Sequence, residues 1–198
     1  MSKDVSFKVL PLRKLPARID ETNIFRSLFE CHVQHVPGYP PTYTTKNFAS
    51  DLRRSSRPLP FSTYDDNRSW RDLLVGMLCI GDHVVASCFI VQTRENQMFH
   101  VCTVESVGVH PEHRGAGHCK SLMQKTIEHL AHNTSFRAVR IHAHANNQAA
   151  CRCYESVFGT PVRVSKDGVA FEVSFGPHKK KSLRSTRKSV HLRPRLTT

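Results

Sequence analysis

Apolar residues cluster in the middle of the chain in short runs that predict strands. Runs over residues 73–80 and 83–92 are joined by a Gly-Asp dipeptide, which is a two-residue hairpin signal. A third run, residues 101–109, ends just before Pro111, because proline cannot donate to a sheet ladder. These three segments predict an antiparallel meander.

Further along the chain the apolar period changes between helix and strand. One helical stripe follows a glycine turn and consists of Cys119, Leu122, Met123, Ile127 and Leu130. Residues 136–145 alternate as a strand, residues 147–157 predict a short helix, and residues 160–164 and 168–175 predict a closing hairpin. This order predicts an α/β (α+β mixed) fold. Its mixed, mostly antiparallel sheet has six to seven strands, with helices on both faces.

The first 70 residues carry weaker patterns. We expect a strand at 5–12 and helices at 19–35 and 46–54. Residues 35–43 contain three prolines, which exclude a regular helix or ladder there. Residues 55–70 are polar and predict a loop or an insertion.

Charge separates the last 22 residues from the rest of the chain. Of the formal net charge of +13, residues 177–198 supply +8 and contain no acidic residue. With almost no apolar content, this segment cannot offset its ordering entropy, so we predict a disordered basic tail after a single domain at 1–176. Nuclear targeting, contact with nucleic acid or an acidic protein, and solubility alone are its candidate uses.

The cysteines and the N-terminal sequence indicate the cellular compartment in which we expect the protein. No long apolar run opens the sequence, so we expect neither a signal peptide nor a membrane anchor, and a cytoplasmic location, with nuclear entry through the tail as an option. The seven cysteines are odd in number and scattered, which predicts free thiols in a reducing compartment. No paired C-x-x-C occurs, so we expect no metal.

The turn between the third strand and the long helix has the composition of a phosphate-binding loop. Gly115 and Gly117 allow close backbone approach, and the first N–H groups of the helix point at a ligand there. A P-loop would need glycine in place of Arg114 and Cys119, and a dinucleotide fingerprint would need a third glycine at Lys120. An ordinary strand-to-helix turn without a ligand is the remaining alternative.

Two motifs resemble those of the GNAT acetyltransferase superfamily, and the resemblance covers about residues 73–175. Arg114 and Gly117 match R-x-x-G-x-(G/A), while Cys119 stands where glycine or alanine is usual. About thirty residues later, the motif N-x-x-A-x-x-x-Y-x-x-x-G-F is matched by Asn147, Ala150 and Tyr154, although its final Gly-Phe is inverted.

The resemblance implies acetyl-CoA as cosubstrate and a set of residues that bind it. By this resemblance, we expect strand backbone to pair with the pantetheine arm at Val107, Gly108 and Val109. We expect loop amides to hold the pyrophosphate at Arg114, Gly115, Ala116, Gly117, His118 and Cys119. Asn147 and Ala150 are expected to lie against the arm. Lys120 and Arg152 are further candidates for phosphate contact, or they are solvated surface side chains.

Acetyl transfer to an amine requires a base for the amine and an acid for the departing thiolate. With a lysine-like pKa near ~10.4, roughly one amine in a thousand is a free nucleophile at neutral pH. The resemblance assigns the acid role to Tyr154 and favours Glu105 as base. His142, His144 and a water chain are alternatives for the base, and some relatives place the carboxylate at the position of Thr103.

The predicted function is an N-acetyltransferase whose acceptor is a protein or peptide amine. Residues 39–43, YPPTY, resemble the P-x-x-Y loop of protein N-terminal acetyltransferases. A basic body disfavours a polycationic acceptor. A small-molecule or polyamine N-acetyltransferase is the first alternative. The second is a non-catalytic CoA-binding module that acts through its basic tail on nucleic acid or acidic protein.

Overall fold

One sheet contains all the strands in the described part of the chain. The computed structural model describes residues 4–11, 14–15, 24, 74–91 and 100–175. Its strands are β1 (Val5–Pro11), β2 (Leu74–Ile80), β3 (His83–Val91), β4 (Val101–Val109), β5 (Ala138–His144), β6 (Arg163–Val164) and β7 (Gly168–Ser174). Their order across the sheet is β1-β2-β3-β4-β5-β7-β6.

A single pair of neighbouring strands in this described sheet is parallel. β4 and β5 pair in parallel from Val101 opposite Ala138 to Val104 opposite Ile141. All other neighbours are antiparallel. Parallel strands need a crossover connection, and helix α1 (His118–Asn133) supplies it. The predicted mixed, mostly antiparallel sheet is confirmed, with seven strands.

The core forms where two helices pack on the sheet. Helix α1 and helix α2 (Gln148–Phe158) contact each other, α1 over the first four strands and α2 over β5 and β7. Leu122, Met123 and Leu130 of the predicted stripe are fully buried and join one cluster with alternate residues of β4 and β5. Burying each such side chain stabilises the fold by roughly 1.5–3 kcal/mol, so this stripe fixes α1 on the sheet.

Several predicted elements lie outside the described residues. They are the helix at 46–54, the loops at 35–43 and 55–70, and the tail at 177–198. The presence of helices on both faces of the sheet therefore stays a prediction. Of the helix expected at 19–35, the structure describes only Ile24, which is helical and fully buried. Neither α1 nor α2 has the length and apolar content that a bilayer-spanning helix needs, within the described ranges.

A β-bulge interrupts β4, where the sequence predicts regular alternation. Phe89 pairs with Glu105 and Ser87 pairs with Gly108, so two residues of β4 lie opposite one residue of β3. Ser106, in the bulge, has a φ of 49°, in the left-handed region that serine rarely adopts. Because the alternation shifts at the bulge, Glu105 and Val107 do not share one face as they would in a regular strand.

Candidate active site

The two parallel strands separate just beyond their short pairing. Val104 and Ile141 are the last paired residues, although β4 continues to Val109 and β5 to His144. A cavity of about 570 Å³ lies in this opening and is lined from both strands and from the β6–β7 hairpin. Because β4 has no ladder with β5 beyond Val104, its backbone on that side is open to an extended ligand.

A second cavity, of about 440 Å³, lies on the glycine-loop side of the opening. Its wall includes Val107, Gly108 and Val109, the three strand residues predicted to pair with the pantetheine arm. The two cavities share a common wall formed by Val107, Asn147, Ala150 and Tyr154. After the roles that the resemblance implies, we refer to the first as the acceptor cavity and to the second as the cofactor cavity.

The glycine loop holds its shape through backbone conformations that favour glycine. Gly115 has a φ of 81° and Gly117 has a φ of 78°, and a Cβ at either position would meet no atom within 4 Å. Glycine is therefore required by the backbone angle, not by crowding. Gly117 caps α1, whose first bond runs from Ser121 N to Gly117 O at 3.1 Å. The amides between these two residues are left for an anion at the helix N-terminus.

Side chains of the loop fix it to the end of β4. Arg114 donates from Nε to the carbonyl oxygen of Val109 at 3.2 Å. A 3-10 helix over Pro111–His113 makes the turn. The rings of His113 and His118 lie 5.9 Å apart, and both residues line the cofactor cavity. His113 is absent from the predicted set, although its place beside Arg114 was a usable signal.

The start of α2 brings the second motif to the cofactor cavity. Asn147 is the N-cap, and its Oδ1 accepts a bond from Ala150 N at 3.1 Å. Asn147 and Ala150 line both cavities, together with Ala149 on the cofactor side, which the sequence missed. Of the predicted phosphate contacts, the wall of the cofactor cavity includes neither Ala116 nor the exposed side chains of Lys120 and Arg152.

Tyr154 lies where the two cavities meet. Its residue is 5% exposed, and its ring makes edge contacts with Phe158 and Phe171 at centroid distances of 6.4 and 6.0 Å. These contacts fix the ring, and the Tyr154 residue remains in the wall of both cavities. The position suits a phenol that acts on a group passing from one cavity to the other.

Glu105 lines the acceptor cavity directly before the bulge. Burial raises the pKa of its carboxyl above the ordinary value of 4.5. A partly buried carboxylate with a raised pKa can accept a proton more readily than a solvated one, which is what a general base requires. The geometry therefore keeps Glu105 as a base candidate.

The alternative bases line the same cavity. His142, His144 and Thr103 all lie in its wall. The pKa of His142 lies below its usual value of 6.5, first because of burial of the ring and then because of the positive charges of Arg140 and Arg163. A depressed pKa keeps this imidazole neutral at pH 7, so it can take part in hydrogen bonds without adding charge.

A disulfide joins the helix that follows the glycine loop to the helix that carries Tyr154. Cys119 and Cys153 form this bond, with their Cα atoms 6.5 Å apart. The prediction of free thiols is therefore wrong at these two positions. Nothing in their sequence spacing signals the pair, since it depends on how α1 packs against α2. The other four cysteines in the described part are free: Cys79, Cys88, Cys102 and Cys151.

Buried thiols elsewhere are structural. Burial raises the pKa of Cys88 and of Cys102 to about 12, so neither is a thiolate at neutral pH. Among the described residues, no group of three or more histidine, cysteine, aspartate or glutamate side chains is arranged to hold a metal ion.

Comparisons with known proteins agree with this geometry. The model of the acetyltransferase (GNAT) family matches residues 28–160. An acyl-CoA N-acyltransferase from Pseudomonas aeruginosa is similar in structure, with a TM-score of 0.52 and 14% identity over 86% of this chain and 100% of that one. No curated protein matches the sequence significantly.

Two similar structures contain acetyl-CoA. For yncA from Salmonella typhimurium the TM-score is 0.54, at 15% identity over 88% of this chain and 96% of that one. For the N-acetyltransferase PseH from Campylobacter jejuni the TM-score is 0.51, at 13% identity over 85% of this chain and 99% of that one. At these identities the likeness establishes the fold.

The strand opening, the glycine loop at a helix N-terminus and the shared cavity wall fit an acetyltransferase that uses acetyl-CoA. The family match covers most of the sequence, and the chain belongs to the GNAT acetyltransferase family.

Proposed function

We propose that this protein transfers the acetyl group of acetyl-CoA to a protein or peptide amine in the opening between β4 and β5. The observation that carries the proposal is the shared wall of the two cavities. Tyr154 belongs to both cavities, and Glu105 lines only the acceptor side. A thioester that entered from the cofactor cavity would meet an amine from the acceptor cavity beside these two groups.

Glu105 is the proposed base. Its carboxylate takes a proton from the acceptor ammonium, directly or through water, and leaves a neutral amine. The raised pKa of Glu105 supports this role, because burial makes the carboxylate a better proton acceptor than a solvated glutamate. The amine nitrogen then attacks the thioester carbonyl carbon, and the new C–N bond forms.

Tyr154 is the proposed acid. The tetrahedral intermediate collapses with cleavage of the C–S bond, and the phenol donates its proton to the CoA sulfur. The nitrogen loses its second proton as the amide forms, and this proton restores the phenol of Tyr154. Glu105 releases to solvent the proton that it accepted from the ammonium. The buried ring of Tyr154 supports this role, since packing against Phe158 and Phe171 fixes the phenol at the junction of the cavities.

The remaining site residues bind acetyl-CoA. The unpaired edge of β4 at Val107–Val109 would hold the pantetheine arm, and the amides after Gly117 would hold the pyrophosphate. In this proposal Arg114 positions the loop through its bond to Val109, and Asn147 shapes the wall where the arm passes from one cavity to the other.

A peptide acceptor is supported by the sequence of residues 39–43 and by the basic body of the chain. We further propose that 1–176 is the catalytic domain and that 177–198 is a basic tail that acts outside the site. Deleting 177–198 should then leave acetylation of a small amine unchanged. A large loss of that activity would make the tail part of the site.

The proposal is tested by an acetyl-CoA turnover screen across peptides, polyamines and small amines, with CoA release as the readout. We expect the highest kcat/KM for a peptide amine. A polyamine or a small amine as the best acceptor would replace the peptide acceptor. No turnover with any amine, together with an acetyl-CoA-induced rise in Tm, would favour the non-catalytic CoA-binding module.

A further inference from the structure

The β6–β7 hairpin builds one wall of the acceptor cavity and carries a cation that the proposed chemistry does not use. Arg163, Ser165 and Asp167 all line the cavity from this hairpin. In the register of the sheet, Arg163 lies opposite Ala170 of β7, and Ala170 lies opposite His142 of β5. Opposite residues of antiparallel strands share a face, so these three form one row.

The middle residue of this row leaves room for a ligand group. Ala170 carries only a methyl group and lines the acceptor cavity. Arg163 and His142 therefore flank a position with no bulky side chain between them. Neighbouring strands lie about 4.8 Å apart, so the backbones of β5 and β6 are on the order of 10 Å apart. That distance suits a small polar group held by an arginine side chain.

The two arginines near His142 differ in their partners. Arg140 donates to Glu172 Oε2 from Nη2 at 2.7 Å and from Nε at 3.0 Å, so its charge is compensated. The side chain of Arg163 is exposed and makes neither an ion pair nor a hydrogen bond with any residue that the structure describes. A guanidinium without a carboxylate partner in a substrate cavity can bind a carboxylate through two parallel bonds.

The β6–β7 hairpin is held in place by its own hydrogen bonds, before any substrate binds. Ser165 Oγ accepts from Gly168 N at 3.2 Å and donates to Gly168 O at 3.0 Å, which closes the turn. The turn is also attached to the end of β5, since Ala145 N donates to Asp167 O at 3.3 Å. Arg163 therefore extends from a fixed wall, which lowers the cost of ordering it around a ligand.

The other charged and titratable groups of the cavity favour a carboxylate over a larger anion. Glu105 and Asp167 carry or can carry negative charge, and His142 and His144 add imidazoles. Two acidic groups and one arginine around the cavity leave no excess of positive charge. A singly charged group suits this balance better than a dianionic phosphate.

We propose that Arg163 determines acceptor specificity by binding a carboxylate that the acceptor carries close to its reactive amine. This inference rests on the proposed function, since it assumes that the amine reacts beside Glu105 and Tyr154. A peptide with an acidic residue near its amine supplies such a carboxylate, and so does a free amino acid. The two sources share the same chemistry and are separated by the test below.

The test compares acceptors that differ in one carboxylate group. One pair consists of peptides with aspartate or asparagine next to the reactive residue, and the second pair is an amino acid and its amide. In one of the two pairs, we expect the wild-type kcat/KM to be at least about tenfold higher for the acceptor with the carboxylate. This is the effect expected from one charge-assisted hydrogen bond. A preference in the peptide pair identifies an acidic peptide, and a preference in the second pair identifies a free amino acid.

Variants of the hairpin complete the test. Arg163→Gln should remove the preference, mainly through KM, Arg163→Lys should retain part of it, and Arg163→Glu should reverse it. Lys166→Gln is the matched control, because Lys166 is exposed on the same hairpin but does not line the cavity. A preference that survives in Arg163→Gln, or equal rates for both members of each pair in wild type, would overturn the inference alone. Absence of transfer to any amine would instead overturn the proposed function.

Discussion

The cofactor side and the acceptor side of this site are built in different ways. The glycine loop is made by consecutive residues, and its positive φ angles at Gly115 and Gly117 are local properties of the chain. The acceptor cavity is assembled from β4, β5, α2 and the β6–β7 hairpin, which are far apart in sequence. A loop made of consecutive residues suits a cosubstrate that all members of a family share. A wall built from several elements can differ between family members that use different acceptors.

The disulfide between Cys119 and Cys153 joins the two sides, and its loss should have the largest effect on stability. It closes a loop with a sequence separation of 34. Such a loop stabilises the fold by roughly 4 kcal/mol through the entropy of the unfolded chain. Replacing both cysteines with serine should lower Tm by on the order of 10 °C, as measured by calorimetry.

The control for this prediction is Cys151→Ser, which changes a free cysteine on the same helix. Reductant should lower the Tm of the wild type and of this control, but leave the double variant unchanged. Equal Tm values for the wild type and the double variant would show that the two sides are held together by packing alone.

On the acceptor side, Glu105→Gln should lower kcat by about 100-fold, the ordinary contribution of a general base. In the wild type, kcat/KM should rise with pH through the pKa of Glu105, which lies above 4.5, because the base must be deprotonated. The pH profile of peptide acetylation checks both points. A normal rate in Glu105→Gln, or loss of the rate only in His142→Gln, would move the base role to the histidine.

The same substitution should stabilise the fold at neutral pH. Below pH 4.5 the Glu105 carboxyl is neutral in the folded and unfolded states alike. Between 4.5 and its raised folded pKa, the folded protein keeps a proton that the unfolded chain has lost, so stability falls as pH rises through this window. Glu105→Gln removes that fall, which unfolding by denaturant at several pH values would detect.

On the cofactor side, Gly117→Ala should weaken acetyl-CoA binding by about fivefold, because a loop that relaxes from the left-handed conformation must regain it at a cost of roughly 1 kcal/mol when acetyl-CoA binds. Gly81→Ala is a matched control, because Gly81 also has a positive φ of 61° and open space around it. Both variants should lose similar stability. Calorimetric titration should show a raised Kd for Gly117→Ala only. Equal Kd values would contradict the role of the loop.

The contrast between a loop of consecutive residues and a cavity assembled from distant elements explains which features could be predicted from the sequence. The glycine loop, the cap at Asn147 and the position of Tyr154 depend on residues close in sequence, so their motifs are recognisable. The mostly antiparallel sheet of six to seven strands was predictable from apolar periods and hairpin signals, but the order of the strands across the sheet was not predicted. The bulge at Ser106 was not predictable, because serine carries no preference for a left-handed conformation.

Contacts between elements that are far apart in the sequence could not be predicted from it either. Cys119 and Cys153 meet only because α1 packs against α2, and an odd number of cysteines without a secretory signal argued against the pair. Arg163 looks like an ordinary hairpin residue until the register of β5, β6 and β7 brings it to the acceptor cavity. Its position in the site is therefore determined by the pairing of these strands.

Tyr154 connects the two sides, and its substitution by phenylalanine tests the central claim most directly. The ring and its contacts with Phe158 and Phe171 are kept, so the fold and the acetyl-CoA Kd should not change. Single-turnover acetyl transfer to the best acceptor should slow at least about tenfold, because the departing thiolate loses its proton donor. Transfer at the wild-type rate by a Tyr154→Phe protein that binds acetyl-CoA normally would contradict the account.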